Sequence, residues 1–342
     1  MIFTALTISL MPLMTVSANY SAERVRLDGV EVVRLSDARF KTVVSVAPSM
    51  GNNAYEMTVN GKNILWSPYK TLADFRDKPV QLGNPLLAPW ANRIDGDAYW
   101  ANGRQYFLNP GLGNFRYDGN HKPIHGLLAF ASEWEVTGMQ ADDESASVTS
   151  RLEFWRYPAW MAQFPFAHTI TMTYRLRDGQ LEVETSIENL SAEPMPLSLG
   201  YHTYYRLEDS ARDEWQVHVA ARDNVLVDKN LIPTGATEPV ALADPQPLRG
   251  FNLDAGFTNL VRDPTGRAEF WVLGRQQKVK VLMGPKFDVA IVFAPPGRNF
   301  ICFEPMVGIT NAFNLAHEGL YKGLQSIPPR GIWKESFWII PE

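Results

Sequence analysis

From residue 24 to the end of the chain, short alternating or β-branched runs succeed one another between turn dipeptides, a pattern that leaves little room for anything but antiparallel sheet. The runs at residues 25–35, 41–46, 54–59, 134–139, 147–155, 168–176 and 181–188 alternate polar with apolar positions or string together Val, Ile and Thr. Asn60-Gly61, Asn102-Gly103 and Asp178-Gly179 fall between such runs. These dipeptides favour two-residue hairpin turns because both positions accept positive φ. The second half continues at residues 215–220, 225–226, 268–273, 279–283, 288–293, 300–303 and 335–340, and only residues 67–75 look mildly helical. So many half-buried strands need a second sheet over their apolar faces. The expected fold is therefore all-β, a large antiparallel β-sandwich. With no Gly/Ser-rich linker and no break in composition, residues 24–342 are expected to form a single domain.

Residues 1–18 stand apart: they carry no charged side chain, and Val16-Ser17-Ala18 resembles a small-residue cleavage site. They read equally as a cleaved export signal or as a disordered start of a cytoplasmic protein, since the basic flank of a signal peptide is missing and Met11 and Met14 offer later starts. No later stretch is long and apolar enough for a membrane span, so no stable membrane insertion is expected. The net charge of -5, without a basic stripe, argues against nucleic acid as a partner. A single cysteine, Cys302, excludes an internal disulfide and reads as a small buried hydrophobe in mid-strand. Oligomeric state is open.

Glu304 is the carboxylate that most invites a chemical role. It follows the apolar run 300–303, which reads as the return strand of a hairpin from 288–293 through Pro295-Pro296-Gly297. Glu304 therefore reads as the residue at which a strand stops. Pro305 confines the backbone of Glu304 to extended conformations, so the carboxylate sits on a stiff element, as a general base requires; a surface glutamate at a strand end would read the same way.

Four further polar groupings stand out. Residues 83–94 form a Pro-rich irregular loop that sets Asn92 and Arg93 beside Trp90, a guanidinium fork next to an aromatic plate suited to a hydroxyl-rich ring. His125 lies between Pro123 and Gly126, and His202 lies among aromatics in residues 196–205, where burial is expected to keep the imidazole near its switching range. Asp254 lies in a Gly-bounded stretch, residues 250–256, that reads as a turn. No metal site is expected, because the histidines lack ligand spacing and there is no thiolate cluster. Phosphate-loop and nucleophile-elbow patterns are also missing.

Together these segments resemble the aldose 1-epimerase, or galactose mutarotase, family. The resemblance lies in residues 84–94 (NPLLAPWANRI), 123–128 (PIHGLL), 199–207 (LGYHTYYRL) and 302–314 (CFEPMVGITNAFN), in the family's order. It implies a galactose mutarotase-like β-sandwich, a small-molecule sugar substrate and no cofactor. Residue by residue it implies Arg93 and Asp254 as hydroxyl binders, His125 and His202 as the site histidines and Glu304 as base. Trp90 replaces the more usual Phe, and Pro328-Pro329-Arg330-Gly331 replaces Pro-Gly-Glu before the last strand, departures that bear on the substrate. Opening a pyranose needs a base at the C1 hydroxyl and an acid at the ring oxygen, so Glu304 is expected ionised and His202 protonated together. Three other readings stay open. One is a hexose-6-phosphate epimerase of the same fold using Arg104, Arg116, Arg156 or Arg206; the others are a non-catalytic carbohydrate-binding protein and another carbohydrate-active β-sandwich enzyme such as a lyase.

Overall fold

The computed structural model describes the backbone of Thr15–Val16 and residues 19–342; the export-signal reading of residues 1–18 otherwise lies outside the described residues. Six strands, Thr15–Val16, Tyr20–Leu27, Val30–Asp37, Thr42–Ala47, Asn53–Val59 and Lys62–Asn63, follow one another as an antiparallel meander. A nine-stranded sheet runs in the order Glu135–Ala141, Ala146–Glu153, His168–Arg177, Gln180–Asn189, Ile332–Pro341, Lys278–Met283, Ala268–Leu273, Gln216–His218 and Gln246–Pro247. The third large sheet, of eight strands, carries the candidate site. Its path is Pro233–Pro239, Ala221–Val227, Leu253–Leu260, Val289–Ala294, Ile301–Met306, Gly200–Tyr201 and Leu86–Leu87, with Thr203–Tyr205 also paired to Ile301–Met306. Ala268–Leu273 and Lys278–Met283 bury alternate residues, the period of two that a sheet with one covered face imposes. Val33, Tyr174, Phe257 and Phe303, from all three large sheets, belong to one apolar core.

The hairpin dipeptides act as their chemistry dictates: Asn60, Asn102 and Asp178 take φ of 51°, 51° and 48°, each followed by a positive-φ glycine. The same chemistry corrects the first expected strand. Asp28-Gly29, at φ 52° and 79°, folds residues 25–35 into a hairpin between Tyr20–Leu27 and Val30–Asp37. The expected helical stretch at 67–75 starts late, as Leu72–Asp77, because the Thr71 side chain accepts from the Asp74 N–H and caps it there. Two further short helices, Pro158–Gln163 and Ala312–His317, have no counterpart in the sequence reading.

Within the nine-stranded sheet, His168 is buried, its Nδ1 2.7 Å from the Phe166 carbonyl and its ring stacked on Phe154 at 4.2 Å. Burial pulls its pKa down to about 4, against the opposing hydrogen bond. The unfolded chain binds this proton below about pH 6.5 and the folded chain does not, so stability falls as pH drops through that window, by about 1.4 kcal/mol per unit for each such histidine. His125 and His202 act in the same direction. Net of Glu304, whose raised carboxyl acts with the opposite sign, urea midpoints are expected to fall from pH 7 to pH 5. A midpoint that stays flat over that range would contradict neutral burial of these imidazoles.

Candidate active site

The site is organised by an interruption in a strand ladder. Ile301–Met306 runs on through Glu304 and Pro305, so Glu304 lies inside a central strand and not at its end as the sequence suggests. On the other side Met306 pairs with Gly200 and Phe303 with Thr203, while His202 between them has no ladder partner. Pro305 has no N–H to extend the ladder there. The His202 N–H donates instead to the Pro85 carbonyl at 3.1 Å. A Cβ on Gly200 would come within 2.9 Å of the Pro305 carbonyl oxygen as well as meeting the Met306 sulfur, so a side chain here would push the paired strands apart.

This break places His202 Nε2 3.3 Å from Glu304 Oε1, with side chains only 9% and 2% exposed. The imidazole stacks on Tyr204 at 4.6 Å and meets Phe293 edge-on. His125 completes the group, its ring centroid 5.4 Å from that of His202. His125 and Gly126 have φ of 64° and 65°, and its N–H donates to the Asn92 carbonyl at 2.9 Å. A Cβ on Gly126 would meet the Ala88 carbonyl oxygen at 2.2 Å, which is why glycine follows His125. Among the described residues, Nδ1 of both histidines and Oε2 of Glu304 are buried without a hydrogen-bond partner.

Asn92 and Arg93 form the second part. Asn92 Oδ1 accepts from the Arg93 backbone N–H and from Nη1, at 3.0 and 2.9 Å, and Arg93 Nε donates to Asp118 Oδ2 at 2.6 Å. The loop is held from behind by residues of the fourth motif: the Asn311 N–H donates to the Arg93 carbonyl and Asn311 Oδ1 accepts from the Asp95 N–H. Asp118 was not anticipated, although the Asp118-Gly119 dipeptide is itself a turn signal. Asn92, Arg93, Asp254 and Thr310 line one hollow. A neighbouring cleft of about 370 Å³ is lined by His125, Arg116, Phe130, Glu133 and Trp160.

Two expectations are corrected by position. Asp254 is not in a turn but on the strand Leu253–Leu260, opposite Phe293, with its carboxylate open to the hollow. Trp90 is 1% exposed and packs edge-on to Phe115 in the core, so it offers no ring face to a sugar. Cys302 is buried as expected, and burial with the charges of Glu304 and Asp254 pushes its thiol up. It shares the Glu304 side of its strand, two residues away. The donor atoms of His202, Cys302 and Glu304 lie within 4.8 Å of one another, a grouping that spacing along the chain conceals. These three could hold a soft divalent cation, at the expense of the proton-carrying pair.

Electrostatics correct the expected charge states. Burial pushes the Glu304 carboxyl well above the usual carboxylate range; the Asp254 charge adds to this and the Arg93 charge opposes it. Burial likewise pulls His202 far below its usual range, with the Arg116 charge contributing, so it is not near its switching range. His125 is lowered by burial and by the charges of His202, Arg116 and Arg93. Burial thus favours the uncharged form of each partner, a protonated carboxyl on Glu304 and a neutral imidazole on His202. Burial also raises Asp254, with Arg93 opposing.

Residues 33–316 match the model of the family described as aldose 1-epimerase. The chain belongs to the aldose 1-epimerase family. Relatives within reach of sequence comparison include the uncharacterized protein YihR of Escherichia coli, 25% identical over 193 residues, and the uncharacterized protein YphB of the same organism, 28% identical over 130 residues. The matched segments span 56% and 39% of those proteins. This epimerase-family chain shares its fold with a galactose mutarotase-like protein from Clostridium acetobutylicum, at a TM-score of 0.84 and 21% identity over 95% of this chain and 99% of that one. It also resembles a galactose 1-epimerase from Lactobacillus acidophilus, at a TM-score of 0.71 and 15% identity over 98% and 99% of the two chains. The galactose mutarotase-like β-sandwich expected from the motifs is thus the fold observed.

Proposed function

We propose that the chain interconverts the α and β anomers of a free aldohexose by acid–base ring opening and reclosure. The observation that carries this reading is the buried His202–Glu304 contact at 3.3 Å. One proton shared by the pair is sufficient. With that proton on His202, Glu304 accepts the C1 hydroxyl proton, the C1–O5 bond breaks with its electron pair going to O5, and His202 protonates O5. Rotation about C1–C2 and closure in reverse give the other anomer and restore the pair. His125 hydrogen-bonds near the ring oxygen, while Arg93, Asn92 and Asp254 hold hydroxyls. A glycoside hydrolase would need two carboxylates flanking the bond, whereas the partner of Glu304 here is a histidine.

Polarimetry on freshly dissolved α-D-glucose and α-D-galactose tests the proposal: the approach to anomeric equilibrium should accelerate in proportion to protein added, and a rate equal to that in buffer with both sugars would end the epimerase reading. In the same assay Arg93→Ala is expected to raise KM about tenfold or more with a smaller change in kcat, because hydroxyl contacts are made in ground and transition states alike. A loss confined to kcat would contradict the binding role.

A further inference from the structure

His202 lacks the device that usually orients a working imidazole. A histidine ring is commonly held by a hydrogen bond to the nitrogen that does not do the chemistry, which fixes both tautomer and plane. His168 shows that arrangement, with its Nδ1 2.7 Å from the Phe166 carbonyl. In His202, Nδ1 is buried without a hydrogen-bond partner among the described residues. Its Nε2 meets Glu304 Oε1 at 3.3 Å, but a single contact, at the long end of the hydrogen-bond range, fixes a point and leaves the ring free to turn about it. The ring faces are what remain to hold it. His125 and Phe293 approach at 77° and 83°, edge to face, whereas Tyr204 lies parallel, its centroid 4.6 Å away and its plane inclined by only 9°. Turning the imidazole out of its plane would drive an edge into the Tyr204 ring.

Tyr204 is anchored where His202 is not. It pairs with Cys302 on the strand Ile301–Met306, its N–H donates to the Gly83 carbonyl at 2.8 Å, and its carbonyl accepts from the Trp66 N–H at 2.9 Å. Its ring is backed by Trp66, stacked at 5.5 Å, and by Phe300, edge-on at 5.1 Å. The interruption that releases His202 from the ladder ends before Tyr204, which is two residues on and on the same side of the chain. We propose that Tyr204 is a positioning residue for the acid: the stack of its ring on His202 sets the imidazole plane and so aims Nε2 at Glu304 and at the ring oxygen of the sugar. This rests on the epimerase reading and adds a residue to it. The same ring face attracts the imidazolium formed during turnover, since a cation within about 6 Å of an aromatic centroid is stabilised.

The experiment compares the wild type with Tyr204→Leu, which removes the ring, and Tyr204→Phe, which puts a ring back, in anomer exchange of glucose and galactose. Tyr204→Leu should lose kcat about 10- to 100-fold with KM within a few-fold, the cost of a misaimed proton donor, and Tyr204→Phe should restore kcat to within about threefold. Independently of turnover, nitrogen NMR spectra of the histidine rings should show one tautomer for His202 in the wild type and in Tyr204→Phe, and averaged signals in Tyr204→Leu. Tyr204→Met, an unbranched filler of the same space, takes the place of the Leu variant if that chain does not fold. Tyr204→Phe as slow as Tyr204→Leu would move the role to the hydroxyl. Tyr204→Leu with a wild-type kcat, or with His202 signals unchanged, would leave Tyr204 as a packing residue only. Each of these outcomes overturns the inference while the epimerase reading stands. A wild type inactive on both sugars ends the epimerase reading, and the ring spectra alone then decide whether Tyr204 orients His202.

Discussion

Replacing Glu304 by Gln should abolish anomer exchange and stabilise the protein. Gln keeps the shape and one hydrogen-bonding oxygen but accepts no proton at neutral pH, so kcat should fall about 10³- to 10⁴-fold while sugar affinity stays within a few-fold, the range that loss of a positioned acid–base group produces. The stability change follows from the raised carboxyl. A group whose folded pKa exceeds its unfolded value stabilises fully below the unfolded value, about 4.3, and this contribution is lost as pH rises through the folded one. By pH 8 the wild type either bears the desolvated charge or keeps a proton that the unfolded chain has released, and Glu304→Gln bears neither cost. Scanning calorimetry should find the variant's advantage in Tm larger at pH 8 than at pH 5. Near-wild-type rates would remove Glu304 from the mechanism, and a pH-independent Tm difference would mean that burial does not perturb its carboxyl.

The second large effect concerns His202 and the shape of the pH profile. Activity needs one proton on the His202–Glu304 pair. A second proton leaves the buried pair positive and loss of the last leaves it negative, and desolvation disfavours both states. The kcat/KM profile should therefore be a broad bell, its acid limb below the usual histidine range and its alkaline limb above the usual carboxylate range, both belonging to the pair. In His202→Asn, Glu304 is the one member of the pair left to titrate. The variant should lose about 10²- to 10⁴-fold in rate and lose the alkaline limb, and its acid limb should move up to the pKa of the lone buried carboxyl. An alkaline limb that survives on the residual activity would exclude His202 as the acid and make His125 the candidate.

Much of this protein is legible residue by residue. Asn-Gly and Asp-Gly turns, period-two burial and the Thr71 cap follow from preferences of adjacent side chains for φ, ψ and local hydrogen bonds, and these need no knowledge of the rest of the chain. The four motifs were equally visible, because each is a contiguous stretch whose Pro, Gly and polar residues constrain its own backbone. Only the tertiary structure decided that Glu304 lies within a strand opposite a break, that Asp254 is on a strand, that Trp90 faces the core and that Asp118 fixes Arg93. It likewise decided the burial and the contact of the His202–Glu304 pair. Those properties arise from desolvation and from contacts between segments far apart in the chain; no local pattern encodes how much water a side chain loses or which distant residue comes to face it.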